Sequence, residues 1–271
     1  MLLRVIHYVC LVLIFFFSNT EAHGNFYPDK DRKIALLFLT NGDLTQSVVW
    51  KTLLENSIYK KKFTLYVNSR KPLKDKYFKK FRIRRVTPIT CSRNIFSWHT
   101  LLQEALLDTR NYKFVFLSES CLPLQPLDRI YERLISNNNT LMFYCKPWWD
   151  SCNRDILELP LNHRFANHEW VILNRTHAEL LVQDENIIRI ISDYDYSQES
   201  WPSSALSFFG ALDEVENRQT TYVNCCPPFS NANTINCNLI RDAKRNGFLF
   251  GREFTKHFPE KDLLNLITSE P

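Results

Sequence analysis

Glycine is scarce in this chain, which has five glycines among 271 residues. None of them falls in the Walker or dinucleotide-binding pattern, in which glycines let the backbone approach a phosphate group. A nucleotide, if the chain binds one, must therefore be held by other side chains. Familiar hydrolase motifs are missing too: the sequence has neither the Gly-x-Ser-x-Gly turn of serine hydrolases nor the His-Glu-x-x-His helix of zinc proteases.

Cysteine pairs with the spacing of zinc ligands are also absent. No Cys-x-x-Cys occurs, and the adjacent Cys225 and Cys226 do not have a usual ligand spacing. Of the eight cysteines, Cys10 lies in the N-terminal segment and seven lie beyond it. In an oxidising compartment we expect disulfide bonds among these seven, with at least one cysteine left free or in an intermolecular bond, and the sequence does not give their connectivity.

The sequence lacks an apolar run long enough to cross a bilayer. Residues 5–17 are almost entirely apolar, but they are fewer than the roughly 20 residues that a spanning helix needs. Arg4 precedes this run, and small and polar residues with a Thr20-x-Ala22 cleavage pattern follow it. Residues 1–22 are therefore predicted to be a signal peptide, with a short uncleaved signal anchor as the alternative. Either segment sends the chain into the secretory pathway, as a secreted or a membrane-associated, Golgi-like luminal protein.

The excess of positive over negative charge is small. The formal net charge of +5 suits an anionic small ligand and is too weak to indicate nucleic acid, so no nucleic-acid partner is expected. Residues 71–85 hold eight basic residues and one acidic residue, and such a run is typical of a solvated face. The glycosylation pattern Asn-x-Thr occurs at Asn138 in a polar stretch and, after an apolar run, at Asn174.

Short apolar strands alternate with helical patterns along the chain. This alternation predicts an α/β fold with a mainly parallel central sheet flanked by helices, in one domain over residues 23–271. The predicted strands are Lys33–Thr40, Phe63–Val67, Val86–Ile89, Tyr112–Leu117, Leu141–Tyr144 and Trp170–Leu173. The predicted helices are Gln46–Ser57, Phe96–Leu107, Leu127–Ser136 and one that starts at Ala178.

Polar residues follow three of the predicted strands. They are Thr40-Asn41, Asn68-Ser69-Arg70 and Ser118-Glu119-Ser120. Because ligands of parallel sheets collect at the carboxyl ends of the strands, these three segments predict a ligand site. The same residues can instead serve as caps of the strand ends or, for Glu119, as a carboxylate paired with a basic neighbour.

Five segments in order resemble the core-2/I-branching β-1,6-N-acetylglucosaminyltransferase family, most closely its plant-type and microbial branch. The most specific is FVFLSESCLP at residues 114–123, a strand followed by Ser-Glu-Ser-Cys-x-Pro. The others are LYVNSR at 65–70, LLQEALLD at 101–108, EWVILNR at 169–175 and FLFGREF at 248–254. The resemblance implies a GT-A-like glycosyltransferase fold. It also implies transfer of a sugar from a UDP-sugar to a glycan or glycoconjugate hydroxyl, with inversion at the anomeric carbon.

The resemblance also implies roles for single residues. Inversion needs a base that takes the proton of the acceptor hydroxyl, and Glu199 falls at the family's base position. The Asp that precedes this base in the family is Gln198 here. N-acetylglucosamine is the expected donor sugar, with xylose and glucuronic acid left open. The implied donor-binding residues are Thr40, Asn68, Arg70, Ser118, Glu119 and Arg252, and the implied acceptor-binding residues are Glu169 and Trp170. Trp170, as well as Trp148 and Trp149, can stack on a sugar or belong to the core.

The family that this chain resembles neutralises the departing diphosphate with basic side chains and without a metal, so no metal or other cofactor is expected. Asp193-Tyr194-Asp195 has an Asp-x-Asp spacing but lies away from the end of the fourth strand. The family's closing Lys position is occupied by Glu253, and its upstream Arg position falls in residues 223–229, which contain no basic residue. Arg252 is the first substitute, because a guanidinium can hold phosphate oxygens bidentately. Other basic residues near it in sequence are Arg241, Arg245 and Lys256.

Two further hypotheses remain open on the sequence. The departures at Gln198 and Glu253 fit a non-catalytic relative that binds carbohydrate or nucleotide. The cysteines fit a secreted interaction protein held by disulfide bonds, although such scaffolds are usually small and loop-rich. Binding without turnover would support the first hypothesis, and absence of nucleotide-sugar affinity would support the second.

Overall fold

The computed structural model describes residues 31–87, 94–146, 158–192, 197–224 and 228–269. The segment predicted to be a signal peptide or anchor lies outside these ranges, as do Trp148, Trp149 and the Asp193-Tyr194-Asp195 triplet. Within the described ranges, no helix is both long enough and apolar enough to cross a membrane.

Eleven strands and eight helices occur in the described residues. The strands are β1 Lys33–Thr40, β2 Phe63–Ser69, β3 Asn111–Ser118, β4 Leu122–Pro123, β5 Thr140–Met142, β6 Tyr144–Cys145, β7 Ala166–Asn167, β8 Ile172–Asn174, β9 Val215–Asn217, β10 Thr221–Val223 and β11 Phe250–Arg252. The helices are α1 Ser47–Asn56, α2 Ile95–Leu106, α3 Leu127–Ile135, α4 Arg175–Gln183, α5 Glu185–Ser192, α6 Trp201–Phe208, α7 Thr234–Arg245 and α8 Glu260–Thr268.

A six-stranded sheet forms the centre of the fold, in the order β2-β1-β3-β8-β5-β9. All pairs within it are parallel except those of β8, which runs against β3 and β5. Strand β1 is buried along seven of its eight residues, as expected for a strand covered on both faces. The predicted α/β fold with a mainly parallel sheet is confirmed.

The register of the parallel strands brings their polar ends together. Thr40 lies opposite Ser69 of β2, and Leu39 lies opposite Ser118 of β3. Helix α2 packs against these three strands and against α4. The three polar segments predicted to form a ligand site therefore share one edge of the sheet.

A smaller sheet carries the C-terminal segment to this edge. It has the order β10-β11-β4, with β11 parallel to β10 and antiparallel to β4. The backbone N–H of Phe254 donates to the carbonyl of Ser120 at 2.9 Å. Because β4 follows β3 after one short turn, Arg252 at the end of β11 comes to lie beside Ser118 and Glu119.

Three strand predictions need correction. The predicted strand Trp170–Leu173 begins at Ile172, because the carbonyl of Trp170 accepts from the Thr220 hydroxyl at 3.2 Å instead of joining the ladder. The predicted strand Leu141–Tyr144 is split at Phe143, where the chain leaves the central sheet and Tyr144 pairs with Asn167. Of the predicted strand Val86–Ile89, Val86 and Thr87 are not in a strand and the rest lies outside the described residues.

Three of the cysteines lie in the described residues, and Cys121, Cys145 and Cys237 are free thiols there. The remaining cysteines lie outside, so the expected disulfide bonds stay a prediction. Asn138 is exposed in the loop before β5. Asn174, by contrast, is buried, and its side chain accepts from the backbone N–H of His177 at 2.7 Å as the N-cap of α4. The side-chain amide of Asn174 therefore takes part in hydrogen bonds within the fold.

Candidate active site

A cavity of about 300 Å³ opens at the carboxyl ends of β1, β2 and β3. Its walls come from four parts of the chain: these strand ends, the start of α2, the residues before β8, and the end of β11. The lining residues are Leu39, Thr40, Asn41, Arg70, Asn94, Trp98, Ser118, Glu119, Glu169, Trp170 and Arg252.

Unpaired polar atoms lie at this cavity. The hydroxyl of Thr40 and the side-chain oxygen of Asn94 are buried, and neither has a hydrogen-bond partner in the described part of the chain. Buried polar groups of native proteins nearly always have a partner. Thr40 and Asn94 are therefore candidates for contact with a bound molecule.

Glu169 is held in the cavity by a tryptophan. The indole N–H of Trp98 donates to Oε1 of Glu169 at 2.9 Å, and the Trp98 ring stacks on Phe116 with centroids 4.3 Å apart. Burial raises the pKa of Glu169 to about 7, against the lowering effects of the Trp98 hydrogen bond and the Arg252 charge. The negative charges of Glu199 and Glu119 add to the rise. Glu169 therefore titrates near neutral pH.

Glu199 ends a single turn of 3₁₀-helix, Ser197–Glu199, just before α6. Its side chain is half-buried, and burial raises its pKa while the positive charge of Arg252 opposes that rise. Glu199 does not line the 300 Å³ cavity, but its charge acts on Glu169, which does.

Gln198 supports the turn that carries Glu199. Its side-chain oxygen accepts from the backbone N–H of Asn94 at 3.3 Å, and its carbonyl accepts from the Asn167 side chain at 3.4 Å. Gln198 is 4% exposed. The amide thus joins the turn to the start of α2 without adding a charge.

Arg252 is one of the two arginines that line the first cavity. Its guanidinium carbon lies 4.4 Å from the centroid of the Trp170 ring, a cation–π contact. Its Nη2 donates to Oε1 of Glu253 at 2.7 Å. The Nε atom is buried and has no partner among the described residues.

A second cavity of about 400 Å³ adjoins the first. The two share Ser118, Glu119 and Arg252. The second is lined in addition by Thr45, Ser120, Glu253, Phe254, Thr255, Lys256 and His257, and its basic residues Lys256 and His257 are exposed. The two cavities therefore meet at these three shared residues.

The structure brings together most of the residues predicted from the sequence. Those that line the first cavity are Thr40, Arg70, Ser118, Glu119, Glu169, Trp170 and Arg252. Asn68 does not line it: this residue is fully buried, and its side-chain amide donates to the Thr87 hydroxyl at 3.1 Å. Arg241 and Arg245, which are close to Arg252 in sequence, line neither cavity, because both lie on α7.

The sequence did not point to two residues of the first cavity that can contact a ligand through polar or aromatic groups. Asn94 and Trp98 flank the start of α2, where the sequence shows only an aromatic residue in a helical pattern. The available signal was that a helix packed on a parallel sheet begins near one edge of that sheet, so its first turn can face a ligand. In the described residues no group of three His, Cys, Asp or Glu side chains is arranged to hold a metal ion.

An α/β sheet with a mostly parallel centre and a polar site at its strand ends is consistent with a GT-A-like glycosyltransferase fold. The chain belongs to the Core-2/I-Branching enzyme family, whose model matches residues 34–240. It is also similar to glycosyltransferase BC10 of Oryza sativa subsp. japonica, with 24% identity over 173 residues. That match covers 59% of this chain and 43% of the relative, so the chain spans less than half of the relative's length.

Proposed function

We propose that this protein is an inverting, metal-independent glycosyltransferase. It transfers a sugar, N-acetylglucosamine in the first instance, from a UDP-sugar to a hydroxyl of a glycan or glycoconjugate. Family membership supports the reaction class. The observation that carries the proposal is the convergence of Glu169 and Arg252 at the carboxyl ends of three parallel strands, with Glu199 close enough to act on both.

The donor would occupy the strand ends. Thr40 and Arg70 face the first cavity from β1 and β2, where they can contact uridine and ribose. Ser118 and Glu119 face both cavities from the end of β3 and can bind hydroxyls of the donor sugar. Arg252 lies on the wall shared by the cavities, so its guanidinium can pair with the diphosphate.

Glu199 would act as the base, and Glu169 would position the acceptor. Glu199 takes the proton of the acceptor hydroxyl as that oxygen bonds to the anomeric carbon. The bond between the anomeric carbon and the diphosphate oxygen breaks with its electron pair, and UDP leaves. A base works best with a pKa near the working pH, and burial moves the pKa of Glu199 in that direction. Glu169 lines the same cavity as the β1 and β2 ends and can offer its carboxylate to an acceptor sugar. Trp170 borders the cavity beside it, but its ring is 7% exposed and packs against Arg252.

Kinetics of two isosteric variants test this division of roles. With UDP-sugar donors and EDTA present, Glu199→Gln should lower kcat by about 10²- to 10⁴-fold, the usual contribution of a general base. Glu169→Gln should act mainly on the KM for the acceptor. A large loss of kcat in Glu169→Gln and a small one in Glu199→Gln would move the base to Glu169.

A second candidate function is binding without catalysis, and one observation favours it. Glu253 forms an ion pair with Arg252, the only cation that lines both cavities in the described part of the chain. Glu119, Glu169 and Glu199 add three more carboxyls nearby. This balance weakens the stabilisation of a leaving diphosphate. UDP binding with no turnover across donors and acceptors would establish this alternative.

For either function we propose a place in the secretory pathway, with membrane association through the N-terminal segment.

A further inference from the structure

Arg252 already has an anionic partner in this structure. The Nη2 of Arg252 and Oε1 of Glu253 are 2.7 Å apart, and the two side chains are 22% and 43% exposed. Glu253 lies on the wall of the second cavity, which Arg252 lines as well. A carboxylate oxygen at this distance occupies a donor of the guanidinium that a phosphate oxygen would also use.

The remaining surroundings of Arg252 restrict how an anion can approach. One face of the guanidinium is covered by Trp170, and Nε is buried without a partner among the described residues. Arg binds phosphate most strongly through two neighbouring N–H groups. A two-point contact of an anion with the guanidinium that includes Nη2 therefore competes with Glu253 for that group.

Several carboxyls near Arg252 affect how strongly an anion can bind it. Glu119 and Glu169 line the first cavity, and the Glu199 charge acts on Glu169. The negative charge of these carboxyls opposes an incoming anion. Glu253 differs from them because, in the described residues, it accepts a hydrogen bond from Arg252. Glu253 therefore repels an incoming anion and also occupies the guanidinium group of Arg252 that the anion would bind.

We propose that Glu253 is an affinity-determining residue: its carboxylate is an internal competitor for Arg252, which a nucleoside diphosphate must displace before it pairs with the guanidinium. This rests on the proposed function, because it takes the donor diphosphate as the ligand of Arg252. The competition weakens binding of the UDP-sugar and of the product UDP alike. Specificity then depends more strongly on contacts with the uridine and the sugar, since the diphosphate contributes less.

Isothermal titration of the full chain with UDP and with inorganic pyrophosphate tests the proposal. Glu253→Gln keeps the shape of the side chain and removes its charge. The matched control is Glu260→Gln, which removes the same charge from an exposed residue of the first turn of α8 that lines neither cavity. Glu253→Gln should bind both probes about five-fold more tightly, the effect of releasing a partly exposed ion pair. Glu260→Gln should bind like the wild type.

An Arg252→Gln background separates competition from simple repulsion. There Glu253→Gln should have no more effect than Glu260→Gln, because the contested donor is gone. A gain of the same size in this background would overturn the proposal, as would an affinity in Glu253→Gln that is no higher than in Glu260→Gln, or no pyrophosphate binding by any variant. Thermal unfolding checks that each variant is folded.

The two proposals fail in distinguishable ways. If Glu253→Gln leaves both affinities unchanged while the wild type transfers sugar, the competition is wrong and the glycosyltransferase function stands. If Glu253→Gln tightens pyrophosphate binding but no UDP-sugar is turned over, the competition stands and the proposed function is wrong.

Discussion

Glu169 is the residue whose protonation most directly links the site to pH. Its carboxyl accepts one strong hydrogen bond, from Trp98, while burial and two neighbouring carboxyls disfavour its charge. Because its pKa is raised to about 7 in the folded state, the native protein holds a proton there that the unfolded chain loses near pH 4.5. The stability that this proton contributes is present below pH 4.5 and is lost as the pH rises through 7.

We therefore expect Glu169→Gln to be more stable than the wild type at pH 8 and nearly equal to it at pH 5. Gln is neutral at both values and imitates the protonated carboxyl. Thermal unfolding of both proteins across this range measures the difference, and Glu260→Gln serves as the exposed control. A difference in Tm that stays constant from pH 5 to pH 8 would show that Glu169 titrates normally.

Lys113 on β3 is a second buried titratable residue, away from the cavities. Its side chain is fully buried, and its ammonium donates to the carbonyl of Asn139 at 2.5 Å. Burial lowers the pKa of Lys113 to about 7, and the charge of Glu216 opposes that effect only in part. The folded state thus releases a proton that the unfolded chain keeps up to about pH 10.5.

The stability of the wild type should therefore rise with pH above 7 relative to Lys113→Met. The expected slope is roughly 1 kcal/mol per pH unit in the free energy of unfolding between pH 7 and 9. Urea unfolding of both proteins measures it, and groups common to both cancel in the difference. Parallel pH dependences would mean that Lys113 keeps a normal pKa in the fold.

At the scale of elements, strand β11 sets the position of Arg252. The strand lies between β10 and β4, and Gly251 in its middle faces Leu124. A Cβ at Gly251 would come within 2.9 Å of a methyl carbon of Leu124, which is 1% exposed. This close approach is the reason for a glycine there, and it seats Arg252 beside the end of β3.

Gly251→Ala should therefore lower the free energy of unfolding by about 1–3 kcal/mol, the usual cost of overpacking a core. The nearest atoms that the new methyl meets all belong to the Leu124 side chain, which must repack within the core. Gly42→Ala is the matched control, since a Cβ at Gly42 meets nothing within 4 Å. Equal stabilities of the two variants would contradict the role given to this contact.

The sequence predicts the longer strands and the first four helices, with shifted ends. It does not predict helices α5–α8 or the short strands β4, β7, β9, β10 and β11. The apolar runs of β1 and β3 fix those strands, and amphipathic spacing fixes α1, α2 and α3, because both patterns are local. The departure of Trp170 from β8 depends on a hydrogen bond from Thr220, fifty residues away. No local pattern carries such a contact.

At the scale of the whole molecule, the buried apolar residues from Ile34 to Ile267 form one continuous core. The prediction of a single domain over residues 23–271 stays a prediction, because its first residues are outside the described ranges. The location of the site at the carboxyl ends of β1, β2 and β3 could be predicted from the topology of a parallel sheet. Asn94 and Trp98 could not be found in that way, since only folding brings the start of α2 to the strand ends.

The central claim is that Arg252, at the junction of the two cavities, makes this edge of the sheet a UDP-sugar site. Sugar transfer from UDP-N-acetylglucosamine in EDTA, by wild type, Arg252→Gln and Arg241→Gln, tests it most directly. We expect transfer by the wild type and wild-type activity in Arg241→Gln. In Arg252→Gln we expect a loss of kcat/KM of about 100-fold, in the range known for removal of a transition-state contact. Wild-type activity in Arg252→Gln, or no UDP binding by the wild type, would contradict it.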